Sequence, residues 1–182
     1  MNNTVFDQMD EFMAVLFGIS LIAMLLLIIG LVRRLRSRVK DIKGGVQKKR
    51  RYPGRSFTLF LASIIGMIFI SNVLKGGSKA EILLYLDHID PKTLSVHVNG
   101  AGAADPNAVI GALRTTADIP AHHTHPVRDF TVVIDDQIGG LTLRLGRDSD
   151  RPQEYWVFYP RYRYTTHNEV YRINTTLFDG IK

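Results

Sequence analysis

The sequence predicts an α+β protein with a membrane-embedded part: a hairpin of two transmembrane helices followed by an extracytoplasmic α+β domain. In that domain we expect two helices and a mostly antiparallel sheet of about five strands. Three observations lead to this fold class. Two long apolar runs lack any charge, the segment between them is strongly basic, and the rest of the chain shows first helical and then alternating strand patterns.

The apolar runs predict the two transmembrane helices. The uncharged stretches extend from Phe12 to Val32 and from Phe57 to Leu74, and a helix needs about 20 apolar residues to cross the hydrocarbon core of a bilayer. We assign the helices to residues 12–32 and 56–75, with residues 1–11 as a short external N-terminus. Small residues spaced four apart would let the two helices pack closely. These residues are Ala14, Gly18, Ala62 and Gly66.

The segment 33–55, which joins the two runs, sets the predicted orientation. It holds eleven Lys and Arg side chains and a single acidic one, Asp41. Short loops rich in Lys and Arg remain on the cytoplasmic side of a membrane, so we expect a cytoplasmic loop here and both termini outside. The loop should attract anionic lipid headgroups. No nucleic acid is expected as a partner, because the folded domain lies across the membrane from the cytoplasm.

Composition excludes several classes of chemistry. The chain of 182 residues has no cysteine, which excludes a disulfide framework, a thiolate zinc site, an iron–sulfur cluster and a cysteine nucleophile. Neither apolar run contains an ionisable residue, and ion transport normally needs one inside the membrane. The lack of cysteine and the compact hairpin favour a bacterial cytoplasmic (inner) membrane and a periplasmic domain. The sequon Asn174-Thr175-Thr176 leaves a eukaryotic source open.

Residues 76–182 form the predicted outer domain, which begins with a helix. Lys75-Gly76-Gly77 predicts a short hinge after the second membrane helix. Ser78 and Glu81 then have the spacing of a helix capping box, and the helix should end before Asp90-Pro91.

A strand and a second helix follow. Apolar and polar residues alternate over 93–98, and Asn99-Gly100 supplies turn chemistry at the end of that strand. Asp105-Pro106 offers a helix cap followed by proline at the first helical position, so a helix is expected to start there.

The last part of the chain is predicted to be β. Two alternating runs face one another as a hairpin, with the apolar residues Phe130, Val132, Ile134, Leu141, Leu143 and Leu145 on one face. The run 155–159 is apolar or aromatic on both faces, which favours a central strand, and 169–177 supplies one more strand.

Three histidines in one loop are the candidate metal ligands. Flanking prolines exclude a helix, and an extended backbone would place His123 and His125 on the same side, next to His122. Asp118 or Asp129 could add an oxygen ligand. Because the spacing matches no zinc motif, we expect a polar loop without metal and keep a metal site as the alternative.

The acidic run Asp148-Ser149-Asp150, followed by Glu154, resembles the start of a calcium loop. Such a loop needs oxygen ligands at alternate positions and a glycine for its sharp turn. This run lacks both the glycine and the number of ligands. We therefore interpret it as an acidic hairpin turn.

The stretch from Tyr155 to Tyr164 is rich in aromatic residues, and arginines alternate with tyrosines over 161–164. We expect Trp156 and Phe158 in the core and the residues beyond Pro160 at the surface of a strand. Arginine and tyrosine are enriched among interface hot spots. The predicted partner-binding residues are therefore Arg161, Tyr162, Arg163 and Tyr164.

The expected function is protein binding rather than catalysis. The sequence contains no GxSxG, Gly-rich phosphate loop or HExxH motif, so we predict no catalytic residue and no cofactor. We interpret the chain as a non-enzymatic accessory, assembly or regulatory partner of another envelope protein, or as a homo-oligomer. The alternative is a membrane-tethered metal-binding sensor or enzyme that uses the loop with His122, His123 and His125.

Overall fold

The computed structural model of the chain describes residues 5–43, 54–117, 124–137 and 139–180. The chain divides into two compact units, Met1–Asn72 and Val73–Lys182. Helix and sheet are both present, and the sheet is antiparallel throughout, so the predicted α+β class is confirmed.

Two long helices carry the apolar runs. Helix α1 extends over Val5–Lys43 and helix α2 over Gly54–His88. Both are long and apolar enough to cross a membrane, and with 39 and 35 residues each exceeds the roughly 20 residues that one crossing needs. The prediction of two membrane-length helices is confirmed at this level.

Within the first unit, only part of the predicted small-residue contact is present. A β-carbon placed on Gly66 would lie 3.3 Å from Cδ1 of Leu16, so the two helices approach each other at this glycine. The same construction on Gly18 meets nothing within 4 Å, and both Ala14 and Ala62 are exposed. Gly66 therefore lies at a close approach of the two helices, and the positions of Ala14, Gly18 and Ala62 add no support for one.

The predicted hinge at Gly76-Gly77 is also wrong, because α2 continues through both glycines to His88. Glycine inside a helix costs about 1 kcal/mol relative to alanine. Burial of one helix face within the second unit offsets that cost, since every fourth residue there is fully buried. These residues are Leu74, Ser78, Ile82 and Leu86. The expected end of the helix before Asp90-Pro91 is confirmed.

The described residues of the second unit contain a sheet of seven strands, not about five. The strands are β1 Ser95–Val98, β2 Ala101–Gly102, β3 Thr116–Ala117, β4 Pro126–Asp135, β5 Gly140–Asp148, β6 Glu154–Phe158 and β7 Tyr171–Asn174. Their order across the sheet is β2-β1-β4-β5-β6-β7-β3, and every neighbouring pair is antiparallel. The two extra strands, β2 and β3, have two residues each and are too short to show an alternating pattern.

Two local motifs have the predicted geometry. Asn99 and Gly100 both have positive φ, 51° and 81°, as a tight turn between β1 and β2 requires. Helix α3, Pro106–Arg114, starts with Asp105 as its cap, and the Asp105 carboxylate accepts a hydrogen bond from Ala108 N at 3.0 Å.

The segment after Pro160 is a turn followed by helix α4, Arg163–His167, so the predicted strand there is wrong. Thr165 Oγ1 donates to Tyr159 O at 2.6 Å, and Thr166 Oγ1 donates to Tyr162 O at 2.8 Å. Hydrogen bonds of this kind, from side-chain hydroxyls to backbone carbonyls, satisfy groups that a neighbouring strand would otherwise have to pair.

The core lies on the sheet face that α3 and the end of α2 cover. The alternating residues of β4 and β5 that the sequence predicts on this face are buried. Phe130, Tyr155 and Phe178 form an aromatic cluster against them, with ring centroids 5.4 to 6.3 Å apart. On the opposite face, Phe158 is buried as expected, but Trp156 is only half-buried and is not a core residue.

Candidate interaction surface

The first two of the four predicted partner-binding residues bind Glu81 of α2, Arg161 from an exposed position and Tyr162 from a buried one. Arg161 Nη1 lies 2.5 Å from Glu81 Oε1, and Tyr162 Oη donates to Oε2 at 2.9 Å. Tyr159 Oη donates to Oε1 at 3.1 Å. Tyr162 is 1% exposed, so its predicted position at the surface is wrong.

The Glu81 cluster holds α2 to the segment after β6. Burial raises the pKa of Tyr159 to about 12, so its hydroxyl remains a donor at neutral pH. The sequence predicts correctly that Glu81 lies on a helix. It assigns the Glu81 carboxylate to a capping box, however, and a capping box needs no partner from a distant part of the chain. The three donors come from residues about eighty positions away in the chain, a distance that no local pattern reports.

The other two predicted residues, Arg163 and Tyr164, begin α4. Arg163 is exposed and Tyr164 is half-buried. The same helix is fixed to the sheet by Arg144, whose Nη2 donates to Thr166 O at 2.8 Å while its Nη1 pairs with Asp129 Oδ2 at 2.9 Å. Helix α4, whose first two residues are Arg163 and Tyr164, therefore adjoins Arg144 through its Thr166 carbonyl.

The sheet face that carries Arg144 holds a stack of four side chains, Arg172, Trp156, Phe158 and Arg144, which we call the arginine–aromatic ladder. Arg172 and Phe158 are buried, whereas Trp156 and Arg144 are half-buried. The Arg172 guanidinium carbon lies 4.2 Å from the Trp156 ring centroid, and the Arg144 carbon lies 3.8 Å from the Phe158 centroid. The two aromatic rings stack between them, 6.4 Å apart and inclined by 26°. Cation–π contacts of this kind are favourable and hold the side chains in place.

Gly146 makes room for the ladder. It lies opposite Trp156 in the pairing of β5 with β6. A β-carbon at this position would come within 2.6 Å of Cβ of Pro126 and 3.2 Å of Cε2 of Phe158. Glycine is required here for close packing, and the sequence shows no sign of this because the neighbours come from other strands.

One end of the ladder is a buried ion network. Arg172 is 5% exposed and Glu154 is 1% exposed, and their Nη1 and Oε1 atoms are 2.5 Å apart. Arg172 Nε also donates to Glu169 Oε2 at 2.7 Å. Burial alone would lower the pKa of Arg172, but the two carboxylates more than compensate and raise it. The guanidinium therefore stays charged inside the fold.

Asp148 organises the turn between β5 and β6, as the hairpin-turn interpretation predicts. Its carboxylate accepts hydrogen bonds from Thr124 Oγ1, Trp156 Nε1 and the backbone N of Asp150 and Arg151, at 2.6 to 3.1 Å. Burial alone would raise the pKa of Asp148, but these four donors together lower it to about 2. The carboxylate is already surrounded by donors from the protein itself.

The histidine loop lies mostly outside the described residues, and this includes His122, His123 and Asp118. His125 is exposed, and its carbonyl accepts a hydrogen bond from Ser149 N at 3.0 Å. Asp129, the other oxygen ligand considered, is paired with Arg144. Among the residues that the structure describes, no group of three or more His, Asp or Glu side chains could hold a metal ion.

No protein family, curated protein sequence or solved structure matches this chain. Its fold and its surfaces are therefore interpreted from their own geometry.

Proposed function

We propose that this chain is a two-span integral membrane protein of the bacterial cytoplasmic (inner) membrane. Its outer domain, residues 76–182, serves as a non-enzymatic accessory, assembly or regulatory partner of another envelope protein. The two membrane-length helices support the membrane part. The basic segment 33–55 supports a cytoplasmic loop at anionic headgroups, with both termini outside.

The arginine–aromatic ladder carries the proposal of a binding role. The Arg144 side chain is 27% exposed, Trp156 is half-buried, and the adjacent α4 presents Arg163 and Tyr164. Arginine, tryptophan and tyrosine are the residues most enriched at interface hot spots. Stacking already orders Arg144 and Trp156, so binding a partner costs less side-chain entropy than at a surface of free side chains.

Three carboxylates of the domain support its structure rather than its binding role. Glu81, Asp148 and Glu154 each accept contacts from side chains of the domain itself. We assign to these three carboxylates a role in stabilising the fold. The partner-binding contacts are assigned to Arg144, Trp156, Arg163 and Tyr164.

Affinity purification from native membranes tests this function. The tagged full chain should retain an envelope protein that Arg163→Glu no longer retains, because the substitution reverses an exposed charge on α4, the helix that Arg144 of the ladder binds, and an exposed site tolerates it. Lys92→Glu is the matched control, since it reverses one exposed charge in the 91–93 turn. Equal retention by all three proteins, with equal melting temperatures, would contradict the proposal.

A further inference from the structure

Among the described residues, strand β2 forms an open edge of the sheet. It pairs with β1 on one side, through His97 with Gly102 and Val98 with Ala101, and Ala103 N donates to Val96 O at 2.8 Å. Successive residues of an antiparallel strand point their main-chain groups alternately toward and away from a given neighbour. Since Ala101 and Ala103 face β1, the N–H and C=O of Gly102 face away from the sheet.

This edge is short, but it carries no side chain that would block another strand. Natural edges are blocked by lysine, proline or a bulge, whereas residues 99–104 read Asn-Gly-Ala-Gly-Ala-Ala. Gly102 does not have left-handed φ, and a β-carbon on it would meet nothing within 4 Å. Neither backbone conformation nor internal packing therefore requires glycine here. A strand glycine of this kind suits the close approach of a second backbone.

An apolar pocket of about 300 Å³ lies beside the edge. Its walls come from four parts of the domain, namely Val98, Ala103, Val109, Leu177 and Phe178. Ala101 shares a sheet face with its partner Val98, so a side chain opposite Ala101 or Ala103 in an added strand would lie on the pocket side. This volume is at the lower end of small-molecule sites, about 300 to 1,000 Å³, and suits one large apolar side chain.

The charge at the pocket restricts the occupant. Asp105 is the one ionisable residue among the described residues that line it, and its carboxylate accepts from Ala108 N at 3.0 Å. A fatty-acid carboxylate or a lipid phosphate would be repelled by this group. A peptide with an apolar residue followed by lysine or arginine would be attracted.

We propose that this edge binds an extended segment of another protein by β-strand addition. The main-chain groups of Gly102 pair with the added strand, one apolar side chain enters the pocket, and a neighbouring lysine or arginine faces Asp105. Main-chain bonds supply affinity in this mode, and the pocket supplies selectivity. The site is separate from the arginine–aromatic ladder and uses none of its residues.

The test uses the full chain in detergent micelles and a fluorescent peptide of alternating threonine and valine with a central phenylalanine–lysine pair. We expect saturable binding by fluorescence anisotropy. Gly102→Pro removes the outward N–H, leaves the β1 ladder intact, and should weaken binding about tenfold, the effect of losing one main-chain hydrogen bond. Leu177→Glu should weaken it through the pocket. Leu84→Glu, at an exposed leucine that does not line this pocket, should leave it unchanged.

Amide hydrogen exchange gives a second measurement on the same complex. The peptide should slow exchange at Gly102 and leave Ala103, which is already bonded to Val96, as it was. The proposal is overturned if the peptide does not bind, or if it binds native protein and Gly102→Pro equally. It is also overturned if lauric acid or phospholipid vesicles bind where the peptide does not, or if sedimentation shows only a dimer of this chain that Gly102→Pro abolishes. Failure of the Arg163→Glu test above would leave each of these results unchanged.

Discussion

Glu154 of β6 and Arg172 of β7 form an ion pair inside the sheet domain, with 2.5 Å between Oε1 and Nη1 and almost no solvent exposure of either side chain. Removing two charges from water is expensive, and only good geometry with further partners compensates. Those partners are the Trp156 ring against the guanidinium and Glu169 on its Nε atom. Removing both charges of the pair should therefore destabilise the fold less than removing one of them.

Arg172→Met should destabilise the outer domain by about 3 to 5 kcal/mol, because it leaves the buried Glu154 carboxylate with only the more distant Arg151, whose Nη1 lies 3.5 Å from Oε2. The double variant Arg172→Met with Glu154→Leu should recover most of that loss. Urea denaturation of the full chain in detergent, followed by tryptophan fluorescence, measures both. A double variant less stable than the single one would contradict the expectation.

The acid stability of the domain should depend on Asp148. Its folded-state pKa of about 2 is below its ordinary value, so the group contributes stability that is complete above about pH 4 and is lost as pH falls toward 2. That contribution is about 2 kcal/mol. Asp148→Asn should remove this part of the pH dependence, as measured by urea denaturation between about pH 2 and pH 6.

Asp150→Asn is the control for the acid-stability experiment. Asp150 is exposed and accepts a hydrogen bond only from Ser149 Oγ among its described side-chain contacts. It should keep the native acid profile. If Asp148→Asn also keeps that profile, the Asp148 hydrogen bonds do not stabilise the fold.

Truncation of Tyr162 and of its neighbour Arg163, the first residue of α4, should change the free energy of unfolding by very different amounts. Tyr162→Ala removes a buried aromatic ring and its hydrogen bond to Glu81, so a loss of about 3 to 5 kcal/mol is expected. Arg163→Ala should remain within about 0.5 kcal/mol, because that residue is exposed. Thermal unfolding measures both variants. Similar small losses of stability for the two would indicate that both residues lie at the surface and would contradict the expectation.

Reporter fusions test the proposed orientation. A fusion after Lys43, within the basic segment, should report the cytoplasm, and a fusion after Lys182 should report the outside. Replacing the arginines at positions 33, 34, 36 and 38 with glutamine should reduce the fraction with this orientation. A cytoplasmic signal from the fusion after Lys182 would contradict the proposed location of the partner-binding surface.

Sequence reasoning succeeded where the determining interaction is local. Asp105 caps α3 through an amide three residues away, and Asn99-Gly100 has the positive φ that its turn needs. It failed where contacts between residues far apart in the chain determine the structure. Tyr162 looks like a surface residue of a strand until Glu81, far along the chain, is placed beside it.

The glycines at 76 and 77 illustrate the same limit for helices. Local propensity predicts a break there, yet α2 is continuous. The buried stripe of Leu74, Ser78, Ile82 and Leu86 outweighs the local cost of the two glycines. For a related reason, the sequence identified Arg163 and Tyr164 of the candidate surface but placed Trp156 in the core and missed Arg144, because the stacking of these two side chains depends on the pairing of β5 with β6 and of β6 with β7.

The strand order also determines when the domain can finish folding. Strands β4 to β7 are consecutive in the chain and adjacent in the sheet, so they form a meander. Closing the loops between consecutive strands costs little conformational entropy. Strand β3 pairs instead with β7, through Thr116 with Ile173, and must wait until the last strand has been synthesised. In the proposed orientation, the sheet therefore closes only once β7 has reached the outer side of the membrane, and until then β3 lacks its partner strand.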